Sequence, residues 1–115
     1  MKKIKNIKLY PNQLEALKQV KKRIKKNFSI EKIIIFGSAV RGECERESDL
    51  DILIISKKPV DNKRRNKITD VIFEVNIEYD TNISSIVVDE SMWDSGPISV
   101  LPIHKEILKE GVMFE

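Results

Sequence analysis

The chain has 115 residues, of which 41% are hydrophobic and 34% charged, and its formal net charge is +3. This length suits one compact domain spanning residues 1–115, and the mixture of apolar and charged residues excludes disordered and membrane-spanning classes. The start of the chain lacks the apolar stretch of a signal peptide, and the single cysteine, Cys44, permits no internal disulfide, so we expect a cytoplasmic protein with no membrane association.

The first predicted element is an amphipathic helix that begins near Pro11. Its apolar positions recur at helical spacing, at Leu14, Leu17, Val20, Ile24 and Phe28. Residues 1–28 hold ten Lys or Arg against one acid, whereas residues 29–115 hold eleven against seventeen. This local basic charge could attract phosphates or nucleic acid. Because lysine-rich helices are usually solvated, we expect weak, non-specific nucleic-acid binding at most.

Two short β-branched runs predict central strands. The first covers residues 32–36 and stops at Gly37, and the second covers residues 50–55. The polar connection between them, residues 38–48, is too short for a crossover helix with its loops and long for a hairpin. A connection of this length in so small a protein indicates a functional loop.

Beyond these strands, the pattern predicts a helix, a strand and a second helix. Asp61 caps a helix that runs to about Glu78, and residues 82–88 form a third strand. Asp89 or Ser91 then caps a short turn.

The last predicted helix covers residues 97–110, with Pro102 as a weak point, and ends at Gly111. Residues 112–114 then form a short terminal strand or dock on the edge of the sheet. The fold class is α+β, a small mixed β-sheet, and we expect its helices to pack on one face.

The connection between the first two strands brings two kinds of ligand-binding group together. Asp49 and Asp51 alternate along a strand, so both carboxylates lie on one face, roughly 7 Å apart at about 3.3 Å per residue. Such a pair can hold two Mg²⁺ ions about 3.5 to 4 Å apart, the usual arrangement for in-line attack at a phosphate. At the other end, Gly37 lets a ligand approach the backbone. Ser38 opens a turn whose N–H groups and hydroxyl suit phosphate oxygens.

These residues resemble the signature of the DNA polymerase beta nucleotidyltransferase superfamily. The resemblance covers about residues 31–56 and consists of Gly37-Ser38, ten residues, then Asp49-x-Asp51, with Arg41-Gly42 and Ser48 where small members often carry them. It implies a mixed β-sheet flanked by helices. It also implies transfer of a nucleoside monophosphate from a nucleoside triphosphate to a hydroxyl, with release of pyrophosphate.

The resemblance assigns roles by position. Gly37-Ser38 would hold the triphosphate, with ATP the expected nucleotide, and Asp49 and Asp51 would bind Mg²⁺ or Mn²⁺. Arg41 is a candidate nucleotide-binding residue, and Arg46 is a further candidate phosphate partner. Either arginine can instead balance the neighbouring glutamates.

The family also uses a third carboxylate, on a later strand, as a metal ligand and as the base that takes the acceptor's proton. Here Asn82 stands where an acid is expected, and Ser84 follows on the same face. Asp80 lies two residues before Asn82, and a bulge or a shift of register would let it reach the metal site. We therefore assign Asp80 to the catalytic and metal-binding set, with a degenerate site as the alternative.

Three functions remain open from the sequence. The first is an enzyme that transfers a nucleoside monophosphate. The resemblance to small stand-alone domains implies an antitoxin that adenylylates a helical partner protein encoded nearby, and a homodimer is also compatible with the short chain. The second is a non-catalytic module that binds a nucleotide, a metal or a partner, and the third is an RNA-binding accessory protein. Trp93 and His104 are interpreted as packing or surface residues.

Overall fold

The computed structural model describes residues 2–3, 7–43, 45 and 47–114. In chain order the elements are β1 (Lys2–Lys3), α1 (Pro11–Asn27), β2 (Ile30–Phe36), a first 3₁₀ turn (Gly37–Arg41), β3 (Leu50–Ser56), α2 (Asn62–Tyr79), β4 (Ile83–Asp89), α3 (Glu90–Asp94), a second 3₁₀ turn (Pro97–Val100), α4 (Pro102–Glu110) and β5 (Val112–Met113). No helix in this described part of the chain is long and apolar enough to cross a membrane.

From α1 onward the elements follow the predicted order, with one division that proline explains, whereas the sequence pattern does not predict the two-residue strand β1. The helix predicted over residues 97–110 is split at Leu101, whose backbone is extended with φ −80° and ψ 150°. A residue that precedes proline is disfavoured in the helical region, and Pro102 suits the first position of a new helix. The predicted caps are present, because the side chain of Asp61 accepts a hydrogen bond from the Arg64 N–H and that of Asp89 accepts one from the Met92 N–H.

The five strands form one mixed sheet in the order β1-β5-β2-β3-β4. β2 is antiparallel to both β3 and β5, whereas β3 and β4 run parallel. β2 and β3 are therefore central, and the connection between them emerges beside the start of β4. This arrangement places the polar loop at one end of the sheet.

Alternate residues of the strands build two cores on opposite faces of the sheet. On one face α1 and α2 pack against β2, β3 and β4, and the α1 side chains Leu17, Val20 and Ile24 are at most 1% exposed. Full burial of a side chain of this size contributes about 1.5–3 kcal/mol. On the other face Trp93 of α3 and Ile107 of α4 pack against Ile34 and Leu53. The prediction that all helices lie on one face is therefore wrong, because both faces of β2 and β3 are apolar and each needs a cover.

α2 also covers the outer edge of the sheet. The side-chain amide of Asn76 donates to the Ile83 carbonyl and accepts from the Ile83 N–H, as a neighbouring strand would do. The Arg65 guanidinium donates to the carbonyl of Val87. Three backbone groups of the edge strand β4 are thus satisfied by a helix instead of by another strand.

Candidate active site

The pairing of β2 with β3 brings the two ends of the polar connection together. Phe36, the last residue of β2, lies opposite Asp51. The next residue, Gly37, has φ +81°, and a Cβ added to it would lie 2.5 Å from Oδ2 of Asp51. Glycine is therefore required here for two reasons: the backbone is left-handed, and the Asp51 carboxylate occupies the place that a Cβ would take.

Asp49 and Asp51 lie on either side of Leu50 at the start of β3 and repel each other. The pKa of Asp51 is raised, first by burial and next by the negative charge of Asp49, while the positive charge of Arg41 lowers it. Asp49 is exposed and Asp51 is half-buried. Two carboxylates in this position at the end of an apolar strand raise the free energy of the fold, and a bound cation would remove that cost.

The first 3₁₀ turn begins at Gly37 and closes on a second glycine. Gly42 adopts a left-handed conformation with φ +76° and ψ 13°, and the carbonyl of Ser38 accepts hydrogen bonds from the N–H groups of Gly42 and Glu43. The Ser38 hydroxyl is half-buried and makes no hydrogen bond with the described part of the chain. Its predicted role as a phosphate ligand stays a prediction that this geometry permits.

Arg41 ends the first 3₁₀ turn and is surrounded by carboxylates. Its Nη1 atom lies 3.2 Å from Oε2 of Glu110 and 3.7 Å from Oε1 of Glu106, which both belong to α4. Its Nε atom lies 3.6 Å from Oε2 of Glu43. The hydrogen bond to Glu110 is the largest cause that raises the pKa of Arg41. Sequence reasoning anticipated a balance with neighbouring glutamates but missed the two on α4, which are distant along the chain.

The register of β4 decides which residue faces the two aspartates. β3 and β4 are parallel, and Ser84 lies directly beside Asp51. Asn82 lies beside the start of β3, where its carbonyl accepts from the Leu50 N–H and its amide donates to the Glu47 carbonyl. The exposed positions next to the two aspartates therefore carry an amide, at Asn82 just before β4, and a hydroxyl, at Ser84.

The structure does not bring Asp80 to the pair of aspartates. Asp80 is the exposed C-cap of α2, in a left-handed conformation with φ 54°, and its carbonyl accepts a hydrogen bond from Asn12. Across residues 2–3, 7–43, 45 and 47–114, no three acidic, histidine or cysteine side chains are grouped so that they could hold a metal ion. The physical reason is that α2 continues to Tyr79 and leaves Asp80 to end a helix, outside β4.

Two aromatic side chains confirm the packing interpretation of the sequence. Trp93 is only 7% exposed, and its ring centroid lies 4.2 Å from that of His104. Trp93 lies in the core between α3, α4 and the sheet, and the half-buried ring of His104 packs against it. Cys44 and Arg46 lie outside the described residues.

The donor chemistry of the site fits a divalent cation. Carboxylate oxygens are the preferred protein ligands of Mg²⁺, which is commonly held by one or two carboxylates together with substrate phosphates and water. Asp49 and Asp51 would supply the carboxylates, and the absence of a side chain at Gly37 lets Oδ2 of Asp51 lie close to the backbone of the turn.

Comparison with known proteins reveals a family match over most of the chain. The sequence profile of the family described as "Nucleotidyltransferase domain" matches residues 17–110. Two proteins of Methanocaldococcus jannaschii, each named "Putative protein adenylyltransferase", are similar. MJ0141 is 34% identical over 76 residues, which cover 64% of this chain and 77% of that protein. MJ0604 is 31% identical over 102 residues, which cover 87% of this chain and 95% of that protein.

Solved structures share the fold. A toxin–antitoxin crystal structure with AMP-PNP has a TM-score of 0.58 and 21% identity, covering 84% of this chain and 69% of that chain. A complex of tri-AMPylated Shewanella oneidensis HEPN toxin with MNT antitoxin has a TM-score of 0.52 and 19% identity, covering 89% of this chain and 70% of that chain. These likenesses confirm the predicted α+β fold, a small mixed sheet flanked by helices.

Proposed function

Because the chain belongs to the nucleotidyltransferase domain family, we propose that it transfers adenosine monophosphate from ATP to a hydroxyl on a partner protein. Family membership makes the chain a nucleotidyltransferase, an enzyme that transfers a nucleoside monophosphate. The nucleotide, the metal, the acceptor and the roles of individual residues are parts of the proposal.

The observation that carries the proposal is the contact between Gly37 and Asp51. A side chain at residue 37 would collide with the Asp51 carboxylate, 2.5 Å away. The missing side chain thus lets the Asp51 carboxylate lie directly against the backbone of the turn that begins at Gly37. A triphosphate with its cation requires this closeness, because its oxygens must reach backbone N–H groups and metal ligands at once.

The reaction places few chemical demands on the protein itself. The acceptor oxygen forms a bond to the α-phosphorus while the bond from that phosphorus to the bridging oxygen breaks, pyrophosphate leaves, and the proton of the acceptor hydroxyl passes to water. Asp49 and Asp51 would hold Mg²⁺ or Mn²⁺, which when bound neutralises the triphosphate and lowers the pKa of the attacking hydroxyl. Gly37 and Ser38 position the phosphates, so the protein contributes orientation and charge stabilisation.

The open side of the sheet suits a large acceptor. Ser84 and Ile86 continue the face of Asp51 along β4, and both are exposed. The similar M. jannaschii proteins carry names of protein adenylyltransferases, and the Shewanella toxin in complex with its MNT antitoxin is tri-AMPylated. We accordingly propose a helical partner protein, encoded nearby, as the acceptor. A second copy of this chain is the alternative acceptor.

Labelled ATP distinguishes this transfer from other ATP chemistry. The protein is incubated with Mg²⁺, the product of the adjacent gene and ATP labelled at either the α- or the γ-phosphorus. Label from the α-position should appear on the partner protein, whereas label from the γ-position should not. Asp49→Asn with Asp51→Asn should abolish the transfer. Labelling from the γ-position, or full transfer by the double variant, would contradict the proposal.

One observation favours a second function, a binding module without catalysis. Ser84 lies beside Asp51 at a position where a carboxylate would complete the metal ligands. A module of this kind would bind ATP in a metal-dependent way, and no label would reach the partner or the chain itself. The same experiment, combined with calorimetry of ATP binding in Mg²⁺ and in EDTA, separates the two functions.

A further inference from the structure

The surroundings of Arg41 join the candidate phosphate turn to α4. The guanidinium lies within 4 Å of carboxylate oxygens from Glu43, Glu106 and Glu110, and the shortest of these contacts is the hydrogen bond to Glu110 at 3.2 Å. Glu106 and Glu110 are four residues apart, so they lie on the same side of α4. Arg41 of the first 3₁₀ turn is thus held by two carboxylates of α4, a helix that is distant along the chain.

α4 is fixed firmly enough to hold these carboxylates in place. Ile107, between the two glutamates, is fully buried in the core beneath α4. Gly111 ends the helix so close to β2 that an added Cβ would lie 2.8 Å from Cγ2 of Ile34 and would also meet the Ile107 carbonyl. The glutamates therefore project from a backbone that is packed against the sheet.

The same charges act on the candidate metal site. Burial and Asp49 raise the pKa of Asp51 most strongly, and the smaller contributions come from Arg41, which lowers it, and from Glu106, which raises it. The positive charge of Arg41 therefore acts on Asp51 as well as on the carboxylates of α4. A triphosphate that enters this place brings negative charge that competes for the guanidinium.

We propose that Glu106 and Glu110 are positioning residues that retain Arg41 in the nucleotide-free protein, so that ATP binds only by drawing Arg41 away from α4. This inference depends on the proposed function, because it takes the space beside Asp51 as the triphosphate site. The carboxylates of α4 would then control the affinity for the nucleotide, because Arg41 must leave them to contact the phosphates.

Calorimetry with a non-transferable nucleotide tests the exchange. The probe is the α,β-methylene analogue of ATP with Mg²⁺, titrated into the full chain. Exposed ion pairs are weak, so Glu110→Gln should tighten binding by up to about five-fold, and the double change with Glu106→Gln by more. Arg41→Gln should weaken binding.

A double-mutant cycle separates the exchange from a general effect of charge. If Glu110 acts through Arg41, Glu110→Gln should have no effect in the Arg41→Gln background. Glu78→Gln, which breaks the exposed pair between Arg23 and Glu78 on α1 and α2, is the matched control and should leave affinity unchanged. The inference would be overturned if Glu110→Gln bound the analogue as tightly as the wild type or more weakly. It would also be overturned if Glu110→Gln tightened binding equally in the Arg41→Gln background. Either result would leave the proposed function standing. If neither the wild type nor any variant binds the analogue, the proposed function fails with it.

Discussion

Replacing Gly37 with alanine should damage the site far more than it damages the fold. Its φ of +81° is unfavourable for any residue with a Cβ, and the left-handed region costs such a residue about 1–2 kcal/mol. The new Cβ would lie 2.5 Å from Oδ2 of Asp51, whereas ordinary contacts begin at 3.4 Å. The carboxylate must therefore retreat, and displacements of about 1 Å at a reacting centre can reduce activity about 100-fold.

Gly42 provides a matched control for this variant. It has a similar φ of +76°, and an added Cβ would meet nothing within 4 Å. Gly42→Ala and Gly37→Ala should thus lose similar backbone free energy, about 1–2 kcal/mol in urea unfolding. Only Gly37→Ala should also lose metal-dependent ATP binding and transfer.

The comparison between these two variants would refute the reasoning in either of two ways. One is that Gly37→Ala binds ATP with Mg²⁺ as tightly as the wild type while it unfolds more easily. The other is that Gly42→Ala loses as much ATP binding as Gly37→Ala, since a general distortion of the loop, and no specific contact with Asp51, would then explain both.

Three further predictions concern the carboxylates. The pKa of Asp51 is raised in the folded protein, so the folded state favours the protonated form of this carboxyl. Its contribution to the free energy of unfolding is complete below about pH 3.9, the ordinary Asp value. The contribution is lost as the pH rises through the raised pKa. Asp51→Asn in EDTA should therefore be more stable than the wild type at pH 7, with a difference that disappears on acidification; a difference independent of pH between 4 and 8 would contradict this cause. Asp80→Asn should retain ATP binding and transfer, because asparagine tolerates the left-handed conformation at the end of α2, whereas Ser84→Asp should tighten Mn²⁺ binding in calorimetry by adding a carboxylate beside Asp51. Loss of transfer in Asp80→Asn, or unchanged Mn²⁺ affinity in Ser84→Asp, would show that the register of β4 does not define the metal ligands.

The sequence predicts those residues of the site whose positions follow from the strands on which they lie. Gly37 ends an apolar run, and Asp49 and Asp51 begin the next one. Strand alternation places the two carboxylates on one face, and the antiparallel pairing of β2 with β3 brings Gly37 to them. The third position depends on the register of β4 against β3, which no local pattern specifies. A difference of two residues along β4 decides whether Asn82 or Ser84 lies beside Asp51.

The contacts of Arg41 were beyond prediction for another reason. Glu110 is 69 residues away along the chain, and it reaches Arg41 because α4 packs on the face of the sheet opposite α1. Two apolar strand faces imply two helical covers, but the periodicity of α4 does not reveal which face it covers. Long-range ion pairs between exposed residues leave no other sign in the sequence.

The side chains of α2 on the edge of β4 also affect how this protein meets other chains. An uncovered edge strand can recruit further strands and thereby seed fibrils or domain-swapped oligomers. Asn76 occupies both hydrogen-bonding groups of Ile83, and Arg65 occupies the carbonyl of Val87, so an incoming strand would first have to displace a helix. This covered edge thereby opposes the addition of further strands to the sheet. A folded partner can instead approach Asp51 over the exposed side chains of Ser84 and Ile86, where it does not compete for backbone hydrogen bonds.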